Sequence, residues 1–251
     1  MKNLINHLEE LALNAFPALT SELYDGWLLR FSNGYTYRAN CINPLYASII
    51  DITTKISYCE NKYFSHGLPV VYKMTDFSTP DLDCELNKLG YQIKKQADIM
   101  TLPLLTTSVL ESSNEVVISE KIEGVWLDNF LAVNNITDQL QRSTVKTIFL
   151  NIPNQLFCAY IKENNRIIGF GLGVLERNHL GLFDIYIDEG YRNQGIGKSI
   201  CMAIIKAGLT AGARTAYLQV MSLNTAAINL YRKLGFSRLY TYWYRVKETA
   251  E

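Results

Sequence analysis

The chain has 251 residues and carries 24 Lys plus Arg against 24 Asp plus Glu. This balance argues against a nucleic-acid partner, since sequence-independent binding to DNA or RNA needs a field of positive charge. The length allows one large domain or two small ones at roughly 150 residues each, and such a chain buries enough surface to fold without disulfides or metal. Five scattered cysteines, Cys41, Cys59, Cys84, Cys158 and Cys201, form no C-x-x-C pair and read as reduced thiols of a cytoplasmic protein. No run of about 18 apolar residues marks a membrane span, and Glu9 and Glu10 interrupt any secretory apolar core.

Apolar periodicity predicts a helix over 2–16, strands over 26–31 and 35–42, a helix over 46–64, a strand over 69–74, a helix over 80–89 and a strand over 91–103. A polar run follows, Thr106, Thr107, Ser108 and then Ser112, Ser113, Asn114, and reads as a domain boundary. Beyond it come a strand over 115–121, helices over 126–150, strands over 156–162, 166–176 and 180–188, a helix over 195–211, a strand over 214–221, a helix over 224–234 and a strand over 236–246. The fold class is therefore α/β, divided into residues 1–105 and 115–251.

The two parts look like copies. A shift of 145 pairs Gly26 with Gly171, Tyr46 with Tyr191, Gly67 with Gly212 and Tyr72 with Tyr217, and sets Lys88, Leu89, Gly90, Tyr91 against Lys233, Leu234, Gly235, Phe236. The identities are few, but strand, helix, strand, helix, Leu-Gly-aromatic and final strand arrive in the same order without gaps.

The strongest chemical signal follows the strand Leu182–Asp188. The chain runs through Glu189, Gly190 and Tyr191 into Arg192, Asn193, Gln194, Gly195, Ile196, Gly197, Lys198, and then into a helix with apolar Ile196, Ile200, Ala203, Ile204 and Ala207. Strand, glycine loop and helix can hold a phosphate: side-chain-free Gly195 and Gly197 let successive N–H groups approach an anion, and the helix dipole adds about half a positive charge. Arg192 and Lys198 add charge. A Walker A loop ending at Gly197, Lys198, Ser199 would need glycine where Arg192 stands. The dinucleotide pattern fails because Gly195 and Gly197 have no third glycine after them, and Gly169, Gly171 and Gly173 lie inside a strand.

Arg192, Gly195 and Gly197 match the (Gln/Arg)-x-x-Gly-x-(Gly/Ala) loop, and Asn224, Ala227, Leu230, Tyr231, Gly235 and Phe236 match a later N-x-x-A-x-x-L-Y-x-x-x-G-F stretch. In both, the chain resembles the GNAT superfamily of acyl-CoA-dependent N-acetyltransferases. The resemblance covers about 115–251 directly and 1–105 only through the repeat. It implies an α+β fold on a mixed sheet splayed between the strands at 180–188 and 214–221, with the pantetheine arm of acetyl-CoA in the gap. It further implies that the main chain of Ile185 and Ile187 pairs with the acetyl carbonyl and pantetheine amides, that residues 192–198 hold the pyrophosphate, that Asn224 contacts the arm and that Tyr231 lies beside the thioester sulfur.

The reaction these parts suit is attack of a neutral primary amine on the thioester carbonyl, through an oxyanion that a strand N–H stabilises. A tyrosine, with a reference pKa of about 10, is protonated at neutral pH and can donate to the departing thiolate. A carboxylate or an ordered water must take the proton of the incoming ammonium, and Asp184 and Asp188 are candidates. In the first copy Leu86 stands at the place of Tyr231, and Ala47, Ile50 and Ile52 at those of Arg192, Gly195 and Gly197, so the N-terminal half is expected to carry no chemistry. Aromatic residues Tyr240, Tyr242, Trp243 and Tyr244, with Trp27, Tyr35 and Tyr37, either line a substrate groove or pack an interface between the halves, and packing is the preferred reading. His7, His66 and His179 read as isolated from one another, so no metal site is expected. The alternatives to an acetyltransferase are a non-catalytic acyl-CoA sensor, which needs the loop but not Tyr231, and a nucleotide-binding protein. The acceptor, a small molecule or a peptide amine, is not legible.

Overall fold

The computed structural model describes residues 2–76, 78, 80–104 and 114–249. The first half contains α1 (Lys2–Asn14), β1 (Thr20–Tyr24), β2 (Trp27–Phe31), a 3-10 turn at Tyr37–Ala39, β3 (Ile42–Pro44), α2 (Ile52–Ser65), β4 (Val70–Thr75), α3 (Pro80–Lys88) and β5 (Gln92–Pro103). The second contains β6 (Val117–Ser119), α4 (Gly124–Val133), α5 (Gln139–Leu150), β7 (Gln155–Glu163), β8 (Arg166–Glu176), β9 (His179–Ile187), α6 (Ile196–Thr210), β10 (Thr215–Met221), α7 (Thr225–Lys233) and β11 (Ser237–Lys247). Most of the polar run expected to part them lies outside the described residues.

The described strands form one sheet of eleven, in the order β1-β2-β3-β4-β11-β5-β10-β9-β8-β7-β6. The order is pseudo-symmetric about the β5–β11 pair. β3 and β4 are parallel neighbours as β9 and β10 are, and β4 pairs antiparallel with β11 as β10 does with β5. Each half thus lends its last strand to the other, and a full α/β repeat is fused into a single mixed sheet. This is the two-copy arrangement that the 145-residue shift indicates.

One face of the sheet carries α1, α4 and α5 over a core that includes Leu8, Leu11, Phe16, Trp126, Phe130, Phe149 and Phe170. The other face is covered twice, by α6 and α7 in the second half and by α2 and α3 in the first. Alternation along β8 follows from this: Phe170, Leu172 and Val174 join the first core, while Gly169, Gly171 and Gly173 face α6. A Cβ on Gly173 would stand 2.5 Å from Ile204 Cγ2, and one on Gly171 would stand 2.5 Å from Ile185 Cδ1, so the glycines are what let α6 settle on the sheet. Across the seam, the buried Glu9 of α1 accepts from Lys73 of β4 and from Tyr240 Oη of β11, the latter at 2.7 Å.

The structure corrects four expectations, three of them within the first half. The segment 35–42 is not a strand: Asn40 Oδ1 accepts from the Ser32 and Gly34 amides and its Nδ2 donates to Thr36 O, folding the chain into a tight loop. The helix expected from 46 begins only at Ile52, because the Asp25 carboxylate takes the Ile49 and Ile50 amides and Asp51 then caps α2. Strand β1, mostly exposed at the sheet edge, has no apolar alternation and was not expected. Finally, His7 and His179 are not isolated from each other, since their rings meet edge to face at 4.8 Å where α1 crosses the start of β9.

Candidate active site

β9 and β10 are hydrogen-bonded neighbours only from His179↔Thr215 to Leu182↔Leu218. β10 then follows β5 as far as Met221↔Ala97, while β9 follows β8 as far as Ile187↔Gly169. The sheet therefore splays, and past Leu182 the edge of β9 that faced β10 is no longer paired with it, so its backbone groups, Ile187 O apart, which accepts from Arg192 Nε, are open to another partner.

A β-bulge shapes that edge. The β8–β9 register jumps from Leu172↔Phe183 to Phe170↔Tyr186, so Asp184 and Ile185 together oppose Gly171. Asp184 adopts φ +51°, and the Gly171 carbonyl accepts instead from Trp126 Nε1 at 3.2 Å. The extra residue reverses the side-chain alternation. Leu180 and Leu182 face α6 before it, and Ile185 and Ile187 do so after it, leaving Asp184 to turn to the opposite face.

The N-terminus of α6 sits at the mouth of the splay, where a Cβ on Gly197 would touch Leu230 at 3.1 Å and Ile187 at 3.6 Å. Gly195 occupies the cap position with φ +81°, a conformation that favours glycine, and offers no side chain to the helix amides. Open space surrounds its Cα. The preceding Asn193 is also left-handed, at φ 64°. The first amides of a helix have no intrahelical acceptor, so this terminus can receive an anion. Ile196 is buried as an anchor, and Lys198 is exposed. Arg192 is exposed, reaching Ile187 O at 3.4 Å and Glu189 at 3.3 Å, and Gln194 donates to Gly190 O at 3.2 Å.

The equivalent terminus in the first half is closed. Asp51 caps α2 with its own carboxylate, accepting from the Thr53 hydroxyl and from the Thr53 and Thr54 amides, the latter two at 3.0 and 3.1 Å, and these bonds, the hydroxyl's first, hold its pKa below the usual carboxylate range. An internal anion fills the place that α6 leaves open.

Tyr231 of α7 lies on the α6 side, 7% exposed, its ring edge-on to Phe236 at 6.0 Å. Its hydroxyl has no hydrogen-bond partner among the described residues, and burial pushes its pKa up, with lesser contributions from Cys201 and Asp184. At the corresponding place in the first half, Leu86 is fully buried in an apolar core. Asn224 is exposed and caps α7, its Oδ1 accepting from the Ala227 amide at 3.1 Å, so only its amide nitrogen is left for a ligand.

Asp184 lies across the sheet from Tyr231. Its Oδ2 is buried without a hydrogen-bond partner, and its Oδ1 stands 3.7 Å from the Arg38 guanidinium. Burial raises its pKa, opposed by Arg38. Asp188 is otherwise engaged: one oxygen pairs with Arg166 and the other takes the Gly190 amide. The aromatic residues divide. Tyr35, Tyr37, Tyr242 and Tyr244 line a cavity beside Asp184, Tyr240 is buried against Glu9, and Trp27 and Trp243 pack in the first half's own core. Neither an all-groove nor an all-interface reading describes them. Among the described residues no group of three or more His, Cys, Asp or Glu side chains could hold a metal ion, and no helix is long and apolar enough to cross a membrane.

A splayed mixed sheet with a bulged strand and an open helix terminus is the arrangement that the sequence resemblance implies. The comparisons are specific. Residues 125–236 match the model of the Acetyltransferase (GNAT) family, and residues 3–157 match that described as Probable histone acetyltransferase Rv0428c C-terminal. The chain belongs to the GNAT N-acetyltransferases. It is 28% identical over 250 residues to the uncharacterized N-acetyltransferase YobR of Bacillus subtilis, covering 97% of this chain and 98% of that one. It is 29% identical over 92 residues to the [Ribosomal protein bS18]-alanine N-acetyltransferase of Escherichia coli, 37% of this chain and 62% of that relative. In fold it resembles a GCN5-related N-acetyltransferase from Kribbella flavida, with TM-score 0.72 and 11% identity over 100% of this chain and 96% of that one. It also resembles a tandem GNAT protein from the clavulanic acid biosynthesis pathway, with TM-score 0.64 and 9% identity over 97% and 88%.

Proposed function

We propose that the protein transfers the acetyl group of acetyl-CoA to a primary amine, with residues 115–251 carrying the chemistry and residues 1–105 shaping the acceptor side. The observation that supports this most is the contrast between two equivalent helix termini. That of α6 is uncapped, glycine-lined and placed at the splay, whereas that of α2 is filled by Asp51.

In this reading the amides of 193–198 hold the coenzyme diphosphate, with Arg192 and Lys198 adding charge. Ile185 and Ile187 offer their main chain to the pantetheine amides and the acetyl carbonyl, and the Asn224 amide nitrogen reaches the arm. An N–H at the bulged edge stabilises the oxygen that becomes negative as the amine attacks. Tyr231, kept protonated by burial, supplies the proton that the departing thiolate needs. Asp184, with a free buried oxygen on the other face, accepts a proton from the ammonium, whose lysine-like pKa of about 10.4 keeps it charged on arrival. Acid and base thus stand on opposite faces of the sheet, joined through the splay. The test is release of free coenzyme thiol from acetyl-CoA, screened over amine classes. Release that depends on an amine supports the reading, and binding of acetyl-CoA without release from any amine supports a sensor instead.

A further inference from the structure

The cavity beside Asp184 has a volume of about 310 Å³, near the lower end of the range for small-molecule sites. Its charged lining is lopsided. The second half contributes Asp184, and the first contributes Arg38 and Lys95. The Arg38 guanidinium stacks on the Phe16 ring at 3.6 Å and donates no hydrogen bond among the described residues, its one ionic neighbour being Asp184 Oδ1 at 3.7 Å. The Lys95 ammonium lies 4.5 Å from the centre of the Tyr37 ring, with no carboxylate partner among the described residues. Behind them Arg30, 2% exposed, donates to the carbonyls of Leu13, Phe16 and Arg38. Two cations and one carboxylate therefore line the cavity.

A guanidinium with open donors pairs best with a planar anion, and a lining with two cations to one carboxylate disfavours an acceptor that brings only cationic groups. Asp184, with Oδ2 unpartnered, needs a donor. Because Arg38 and Asp184 are in contact, the two charges the acceptor must present are close together, as in an α-amino acid and unlike a polyamine.

We propose that the acceptor is a free α-amino acid whose carboxylate seats on Arg38 and Lys95 while its amine faces Asp184. This rests on the acetyl-transfer reading above. The N–C bond forms as the thioester C–S bond breaks. Of the two protons the ammonium gives up, one leaves by way of Asp184 to solvent, and the thiol that departs carries the equivalent of the other, delivered by Tyr231.

The test uses the full chain with acetyl-CoA and a panel of amino acids, each beside its carboxamide, together with spermidine and O-phosphoethanolamine. Thiol release is read alongside ligand-observed NMR binding and acetyl-CoA affinity. At least one amino acid is expected to exceed its carboxamide in kcat/KM by about ten- to a hundredfold, the effect of losing one charged hydrogen bond. Arg38→Gln and Lys95→Gln should each raise the amino-acid KM by a similar factor without changing acetyl-CoA affinity, and Arg38→Lys should restore part of it. Lys95 is exposed, so its variant keeps the test alive if Arg38→Gln fails to fold. Equal or better use of the carboxamides, spermidine or phosphoethanolamine would overturn the amino-acid assignment while leaving acetyl transfer intact. The same assignment falls if no amino acid in the panel is bound or acetylated. Failure to bind acetyl-CoA at all would instead remove the reading on which it rests.

Discussion

Replacing Tyr231 by phenylalanine deletes one oxygen from a side chain that otherwise keeps its place against Phe236. The hydroxyl has no hydrogen-bond partner among the described residues, so no internal bond is lost, and stability should stay within about 1 kcal/mol, or about 2–4 °C in Tm for a chain of this size. Turnover should behave differently. A positioned general acid contributes about 10²–10⁴-fold, which at 1.36 kcal/mol per tenfold is about 2.7–5.4 kcal/mol of barrier. Burial raises the phenol pKa, so the proton stays in place above the ordinary value of about 10, and kcat should show no alkaline loss near neutrality from this group. Continuous thiol release gives kcat, calorimetry gives acetyl-CoA affinity and a thermal melt gives stability. A kcat within about threefold of the parent, in a variant with parental melting and affinity, would refute the assignment, because it lies far below the contribution expected of a general acid.

Asp184→Asn should abolish most activity and remove the acid limb of the pH–rate profile, which in the parent falls as pH drops through a carboxylate pKa raised by burial. With a raised folded-state pKa the folded protein holds this proton more tightly than the unfolded chain. Stability is therefore lost as pH rises through that window, and Asp184→Asn should melt slightly higher at neutral pH; a lower melt would contradict this. Gly173→Ala puts a methyl 2.5 Å from Ile204 and should cost about 1–3 kcal/mol in denaturant titrations. Glu9→Ala strands the buried Lys73 and should cost about 3–5 kcal/mol, with Glu9→Leu plus Lys73→Met milder than the single change.

The second half was legible because its signals are local. β8 and α6 have strong apolar patterns, and the glycines at 195 and 197 stand where backbone geometry and close packing demand them. The repeat was legible as element order. The exchange of β5 and β11 was not, since a strand's own side chains state which faces are buried and say little about which strand lies beside it. The loop at 35–42 looked extended because Tyr35, Tyr37 and Cys41 alternate with polar residues, yet Asn40 outcompetes the sheet for the nearby amides. The same loop delivers Arg38 to Asp184, so the cavity beside Asp184 became visible only in three dimensions. Asp184 itself was readable as an acid near a strand end, but its turn to the far face depends on a bulge that no sequence pattern marks.

In the proposed function the open terminus of α6 receives the coenzyme diphosphate and the closed terminus of α2 does not. Backbone amide shifts followed during titration with coenzyme A test this most directly. The largest changes are expected at Asn193 to Lys198, with Asp51 to Thr54 unmoved. Shifts centred on α2, or a terminus of α6 that stays silent while the ligand binds elsewhere, would contradict it.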